Sequence, residues 1–261
     1  MKIQQNKYFG ITDKSIKTES FNISITKHSA QSEIPTHAHS KPYLCLLASG
    51  VYKEKSNTSD IITTGDILYR TANYEHSNCF LNQDSVCLNI EIDNEIDFMS
   101  HNGFKLPSRE SKHKSSLESY KVLFAVKHGL SNDLLNIYCY ESMLAHSGSL
   151  KNKGDLNWIK QVKEYINDNP LANISLQELS HLFGLHPNYI VRKFKDVTGM
   201  KLSDFLTKIR LEHSIIDLTQ TEESLTNIAL NSGFYDQSHF NRNFKKYFET
   251  TPKLFRKVIT G

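Results

Sequence analysis

The 261 residues, 38% hydrophobic and 23% charged, suffice for two packed domains and are too ordinary in composition for a disordered chain. Met1 to Phe9 carries Lys, Gln and Asn rather than an apolar run behind a basic start, and nowhere do eighteen apolar residues follow one another. That pattern argues against a secretion leader and a membrane-spanning helix, and it predicts a soluble, cytosolic protein. A net charge of +3 is too small to signal nucleic acid by itself.

From Phe21 to about Asp97 the segments are short and rich in Ile, Thr, Tyr and Val. Phe21–Thr26, Tyr43–Ala48, Ile61–Thr63, Ile67–Arg70 and Val86–Ile92, with turn residues between them, predict antiparallel sheet in a small barrel or sandwich. Within it His37-Ala-His39 stands at strand spacing, so both imidazoles share one face, and Gly65-Asp66 is followed by His76. Cys45, Cys79, Cys87 and Cys139 form no C-x-x-C pair and read as reduced core residues, with a redox-sensing pair as the alternative.

At Leu117 the period turns helical. Leu117, Tyr120, Leu123, Phe124 and Val126, then Leu134, Leu135, Ile137, Tyr138 and Leu144, predict two helices joined near Gly129. Their apolar faces exceed what one hairpin needs, which predicts a homodimer through one of them, with burial of these residues against the barrel as the alternative. Residues 147–154, with two glycines and little apolar content, have the composition of a linker.

Beyond the linker, Trp158, Val162, Tyr165 and Ile166 give one apolar face, and that helix must end before Pro170. Ser175-Leu-Gln-Glu178 is a capping box opening a helix with Leu176, Leu179, Leu182 and Phe183 inward. Gly184 suits a tight turn and Pro187 the first turn of the next helix. There Ile190, Val191, Phe194 and Val197 repeat at core spacing, and Asn188, Arg192 and Lys195 line the other surface. This is the helix-turn-helix plan, and it occurs twice. Ser224 caps a helix with Leu225, Ile228 and Ala229 inward, residues 231–234 turn, and Asp236 caps an outer helix seamed by Phe240, Phe244 and Phe248. Gln237, Ser238, Asn241, Arg242 and Lys245 are expected to project outward. Arg-x-Phe-Lys stands in both outer helices, at residues 192–195 and 242–245, an internal repeat. Leu202, Phe205, Leu206, Ile209, Ile216 and Leu218 predict one long helix between the copies. From Gln237 to Gly261 the bases are Arg242, Lys245, Lys246, Lys253, Arg256 and Lys257 against one acid, Glu249.

The segment from about Trp158 to Lys257 resembles the DNA-binding domain of the AraC/XylS family of bacterial regulators. The resemblance is carried by residues 175–180, Phe194-Lys195 with Gly199, Arg210-Leu211, Ile228-Ala229, Gly233-Phe234, and Phe240-x-Arg242-x-Phe244-Lys245 followed by Thr251-Pro252 and Phe255-Arg256. It implies two recognition helices entering successive major-groove segments roughly 34 Å apart. Carried over by position, the base readers are Asn188, Val191 and Arg192 in the first motif, and Gln237, Ser238, Asn241 and Arg242 in the second. Arg suits guanine O6 and N7, Asn and Gln suit adenine N6 and N7, and Val191 has only a thymine methyl to offer. Lys195, Lys245, Lys246 and Arg256 are assigned to phosphates or solvent.

His37-x-His39, Gly50, Gly65-Asp66 and His76 resemble the shortened cupin motifs of AraC-type sensor domains. The metal-binding cupin pattern carries a carboxylate four residues after the second histidine, and here that residue is Tyr43. The expectation is therefore an effector pocket of His37, His39, Tyr43 and His76 with no cofactor assigned. Zinc or iron on the three histidines stays open as the alternative.

Together these readings predict a two-domain α+β chain. Residues 1–100 form a cupin-like antiparallel β-barrel, 101–146 a helical appendage that dimerises, 147–154 a linker, and 155–258 an all-α double helix-turn-helix domain with motifs at 175–198 and 224–248. Its implied partners are duplex DNA, a small-molecule effector, RNA polymerase and a second copy of itself, with no membrane. The rival reading, a metal-dependent cupin enzyme fused to a DNA-binding module, finds no Gly-x-Ser-x-Gly elbow, phosphate-cradling glycine loop or general base in the sequence.

Overall fold

A computed structural model of the chain describes residues 2–3, 8–93, 110–113, 117–146, 157–169 and 174–261. The chain divides into two compact units, Met1–Ser149 and Leu150–Gly261. The stretch expected as a linker, 147–154, lies outside the described residues, as do 101–109 and 114–116 of the segment expected to precede the helical pair.

The first unit is built on two sheets. One has the strand order β1 (Lys2–Ile3), β4 (Glu33–His39), β9 (His76–Phe80), β6 (Val51–Lys55), β7 (Ser59–Thr63). The other runs β11 (Ser111–His113), β8 (Ile67–Arg70), β5 (Tyr43–Ser49), β10 (Ser85–Ile92), β3 (Phe21–His28), β2 (Ile11–Lys17). All pairings are antiparallel except β1 with β4. No ladder among the described residues joins the two sheets, so among them the hydrogen-bonded ring of a barrel is not closed.

Its core fills the space between the sheets: Ile34, Tyr52, Ile62 and Phe80 come from one, Tyr43, Cys45, Leu47, Leu68 and Cys87 from the other. Central β5 is a continuous apolar run buried along almost its whole length, as a strand covered on both faces must be. Gly50 turns the chain from β5 into β6 at φ +102°, and a Cβ there would collide with Ser85, so only glycine fits.

Outside the sheets lie α1 (Leu117–His128) and α2 (Asn132–His146). α1 is buried nearly all round, and Ser119 Oγ meets Ser142 Oγ at 2.6 Å where the small side chains let the two helices approach. Lys14 on β2 donates to the carbonyls of Val126 and Lys127 and so caps the negative end of α1. Thr18 and Ser20 bond Asn136 and Tyr140 of α2. Cys45, Cys87 and Cys139 are buried free thiols, and Cys79 is half-buried.

The second unit is helical throughout its described residues: α3 (Asn157–Asp168), α4 (Leu176–Phe183), α5 (Pro187–Thr198), α6 (Leu202–Gln220), α7 (Leu225–Asn231), α8 (Gln237–Phe248) and α9 (Pro252–Thr260). The 19-residue α6 touches α3, α5, α7 and α9, and thereby ties the two helix-turn-helix motifs into one body. Among the described residues no helix is long and apolar enough to cross a membrane.

Candidate nucleic-acid interface and sensor pocket

The two outer helices, α5 and α8, are set by their caps. Ser175 Oγ accepts from Glu178 N at 3.0 Å while Glu178 reaches back to Ser175 N, so the capping box forms as expected. Glu178 also accepts from Tyr165 OH at 2.6 Å, which pins α4 to α3. Gly184 takes φ +62° at the turn, and Ser180 Oγ donates to Leu185 O across it. The cap of α5 was not evident from the sequence: His186 Nδ1 accepts from Asn188 N at 3.3 Å, directly before Pro187. In the second motif Ser224 Oγ accepts from Asn227 N, and Asp236 Oδ1 from His239 N at 2.6 Å. Behind α8, the rings of Phe234, Phe240, Phe244, Phe248 and Phe255 form a continuous seam with centroids 4.5 to 5.3 Å apart at Phe234–Phe240, Phe244–Phe248 and Phe244–Phe255.

These caps leave Asn188, Val191, Arg192 and Lys195 exposed on α5, and Ser238, Arg242 and Lys245 exposed on α8. Two expected readers differ. Gln237 is half-buried, its Oε1 accepting from Thr226 Oγ1 of α7 at 2.7 Å. Asn241 is half-buried too, with a buried Oδ1 that has no partner. Arg256, expected at phosphates or in solvent, is a structural tie: half-buried, it donates from Nε to Leu218 O at 3.2 Å near the C-terminal end of α6. That end draws cations because its last carbonyls lack helical partners. The exposed bases Lys195, Arg192, Arg242, Lys245 and Lys246 therefore sit on two helices held by one scaffold.

In the first unit the structure brings His37, His39, Tyr43 and His76 together. β4 and β9 pair so that His37 stands opposite His76, and strand alternation returns His39 to the face of His37. Ring centroids lie 4.3 Å apart for His37–His76, 5.2 Å for His37–His39 and 5.9 Å for His39–His76. One ring nitrogen from each lies within 4.8 Å of the others. All three residues are buried. Tyr43 OH stands 3.3 Å from His76 Nε2, and Tyr8 stacks on His39. His37 Nδ1 meets Pro35 O at 2.8 Å and His76 Nδ1 meets Tyr74 O at 3.2 Å. A carbonyl only accepts, so both Nδ1 atoms carry hydrogen. Burial, with the neighbouring histidines, holds His39 down to about 3, and burial holds His37 and His76 down to about 4. Each neutral ring of His37 and His76 thus keeps its Nε2 lone pair.

These residues line a small pocket of about 40 Å³, whose wall also includes Thr26, His28, Glu54, Asn78 and Asn89. Glu54 is held by Arg70 in a buried ion pair, so the pocket presents neutral donors and acceptors rather than net charge. His28, Glu54 and Tyr8 gave no sequence signal, because strand pairing over long separations brings them to the site.

A helix-turn-helix domain family model matches residues 179–258. The chain is 36% identical over 124 residues to an uncharacterised HTH-type transcriptional regulator of Staphylococcus aureus, an alignment covering 47% of this chain and 16% of that one. It thus spans about a sixth of the length of such relatives. To the HTH-type transcriptional activator RhaS of Mannheimia succiniciproducens it is 25% identical over 249 residues, covering 87% and 90% of the two chains. Among solved structures, ToxT from Vibrio cholerae aligns over 93% of this chain at 15% identity with a TM-score of 0.40.

Proposed function

We propose that this chain is a helix-turn-helix transcription regulator of the AraC/XylS type, which reads a duplex DNA sequence through α5 and α8 under the control of a small-molecule effector bound in the pocket of its first unit. The observation that carries the DNA reading is the pair of capped outer helices, each with an outward arginine and lysine, on the continuous support of α6. Arg192 and Arg242 are the guanine readers, Asn188, Ser238 and Gln237 contribute donors and acceptors beside them, and Val191 offers a methyl surface. Asn241 reads a base once its buried Oδ1 turns outward. Lys195, Lys245 and Lys246 meet phosphates. The chain acts as a regulator in the cytoplasm and not as an enzyme, and RNA polymerase is the partner through which an activator would work.

Dimerisation through α2 completes the reading. Leu134, Ile137 and Leu144 expose an apolar stripe at helical spacing, 39%, 51% and 52% accessible, which suits self-association about a twofold axis. Tyr138, first expected in that face, is half-buried with Lys121 over its ring. The double variant Leu134→Glu, Ile137→Glu should give monomers by light scattering while the fold holds. Mass equal to that of the unaltered chain places the interface elsewhere.

The effector acts by binding one conformation better than another. The main test is a gel shift with DNA upstream of the chain's own gene: retarded bands that survive competition by scrambled duplex support the regulator. Equal competition by scrambled duplex overturns it. In a reporter strain, His39→Ala should remove or lock the inducer response while residues 155–261 still bind DNA, and a normal response would move the pocket away from these histidines.

A further inference from the structure

We propose that Arg210, midway along α6, grips a DNA phosphate in the stretch of backbone between the two segments read by α5 and α8. The contact rests on the DNA reading above and adds to it a residue that stands on neither outer helix.

α6 carries two buried faces in succession. Leu202, Phe205, Leu206 and Ile209 recur at helical spacing and pack into the core of the first motif. Leu211, Ser214, Ile215 and Leu218 are buried about half a turn away, and Leu218 O meets Arg256 of α9. The helix thus hands its packing from one motif to the other between Ile209 and Leu211. Arg210 is the residue at that changeover. It stands about a quarter turn from both faces, so its side chain leaves the helix at the seam between the motifs.

Its charge is not balanced there. Arg210 is half-buried, its Nε is shut off from solvent, and among the described residues no hydrogen bond or ion pair reaches it. Burial lowers its pKa, and no carboxylate pulls the other way. Arg70, Lys41 and Arg256 show the usual arrangement for an inward cation, matched by Glu54, Asp93 and Leu218 O respectively. A partly desolvated guanidinium without a partner is a receptor for an anion that its planar fork fits, and phosphate is such an anion. Position selects the source. Outer helices seated in successive major-groove segments leave the intervening backbone opposite the seam between the motifs, where Arg210 emerges.

The test is fluorescence anisotropy of the full chain on its own upstream duplex and on a scrambled one, across a salt series. Arg210→Gln should weaken binding to both by about 10-fold and lower the salt slope by about 1, with the ratio between the duplexes unchanged. Arg210→Lys keeps the charge and should recover most of the slope. Arg210→Met keeps an apolar stem, so it should bind like Arg210→Gln while its thermal midpoint without DNA equals or exceeds that of the unaltered chain. Neutral methylphosphonates at the centre of the footprint should make Arg210→Gln silent. Unchanged affinity in Arg210→Gln or Arg210→Met overturns the proposal. So does a loss that Arg210→Lys does not relieve in a variant of lowered midpoint, or losses from substitution and methylphosphonates that simply add. Such a failure with retained preference for the upstream duplex removes Arg210 and leaves the regulator, whereas equal binding of both duplexes with a lowered slope in Arg210→Gln does the reverse.

Discussion

The pocket and the DNA face solve opposite electrostatic problems. In the pocket, polar groups are buried and therefore uncharged or paired: three histidines are kept neutral and Glu54 is matched by Arg70. On α5 and α8 the arginines and lysines are exposed and cost nothing to keep charged, and on the proposed reading they act by displacing counterions from phosphates. The positioning devices differ in the same way. Strand pairing between residues 39 positions apart sets the pocket, whereas caps within three residues set the outer helices. A perturbation of packing or protonation should therefore strike one region and spare the other.

The largest expected effect breaks the DNA region through its core. Phe244 is fully buried and touches the rings of Phe240, Phe248 and Phe255, so Phe244→Ala should cost about 3–5 kcal/mol. Specific DNA binding should vanish while circular dichroism of the β unit and its thermal transition persist. A loss of both transitions together would mean that the units do not unfold separately.

Next in size is a pH effect confined to the first unit. His28 is buried, stacked on Phe80, and held down to about 4 by burial, against about 6.5 in an unfolded chain. Between these values the unfolded chain binds a proton that the folded chain refuses, so stability falls as pH drops from about 6.5 to about 4, by roughly 3 kcal/mol for this residue. Urea midpoints of the β unit should follow that window, and His28→Phe should flatten part of it. An unchanged slope in the variant would assign the loss to the other buried histidines.

What was legible in the sequence follows the same division. The capping box at Ser175, the glycine turn at Gly184, the Ser224 and Asp236 caps and the phenylalanine seam are local signals with short-range physics, and each stands where it was expected. The convergence of His37, His39, Tyr43 and His76 was legible only through a motif. Strands β2, β6 and β9 are polar or short and escaped the apolar criterion, so Glu54 was missed, and His28 was missed because β3 runs two residues past its expected end at Thr26. Arg256 was expected at phosphates or in solvent. Its role was set instead by the end of α6, a neighbour 38 residues away that no local pattern announces.

A sharper comparison within the DNA face uses its charges. Arg192→Ala and Arg242→Ala should each weaken specific binding by about 1–3 kcal/mol and relax one base position, while Lys246→Ala weakens all duplexes alike and lowers the salt slope by about 1. Fluorescence anisotropy on matched and scrambled duplexes measures both. Equal losses on the two duplexes for both arginines would place the recognition helices wrongly.

The smallest effect concerns a residue outside the outer helices. Thr226 on α7 donates from Oγ1 to Gln237 Oε1 at 2.7 Å, so the amide of Gln237 is held with its NH2 group turned to donate. Thr226 is exposed and Gln237 is half-buried. Thr226→Val removes the donor at nearly constant volume, leaving Gln237 to choose its own rotamer at an entropic cost on binding. We expect discrimination at the base read by Gln237 to fall by about 0.5–1.5 kcal/mol, with affinity for scrambled duplex and the salt slope unchanged, because a neutral donor releases no counterion. Gln237→Ala should then make Thr226→Val silent, since the two act as one unit in a double-mutant cycle. Additive losses would show that Thr226 meets DNA by itself. No loss in either single variant would remove Gln237 from the readers and leave the second motif to Arg242, Ser238 and Asn241.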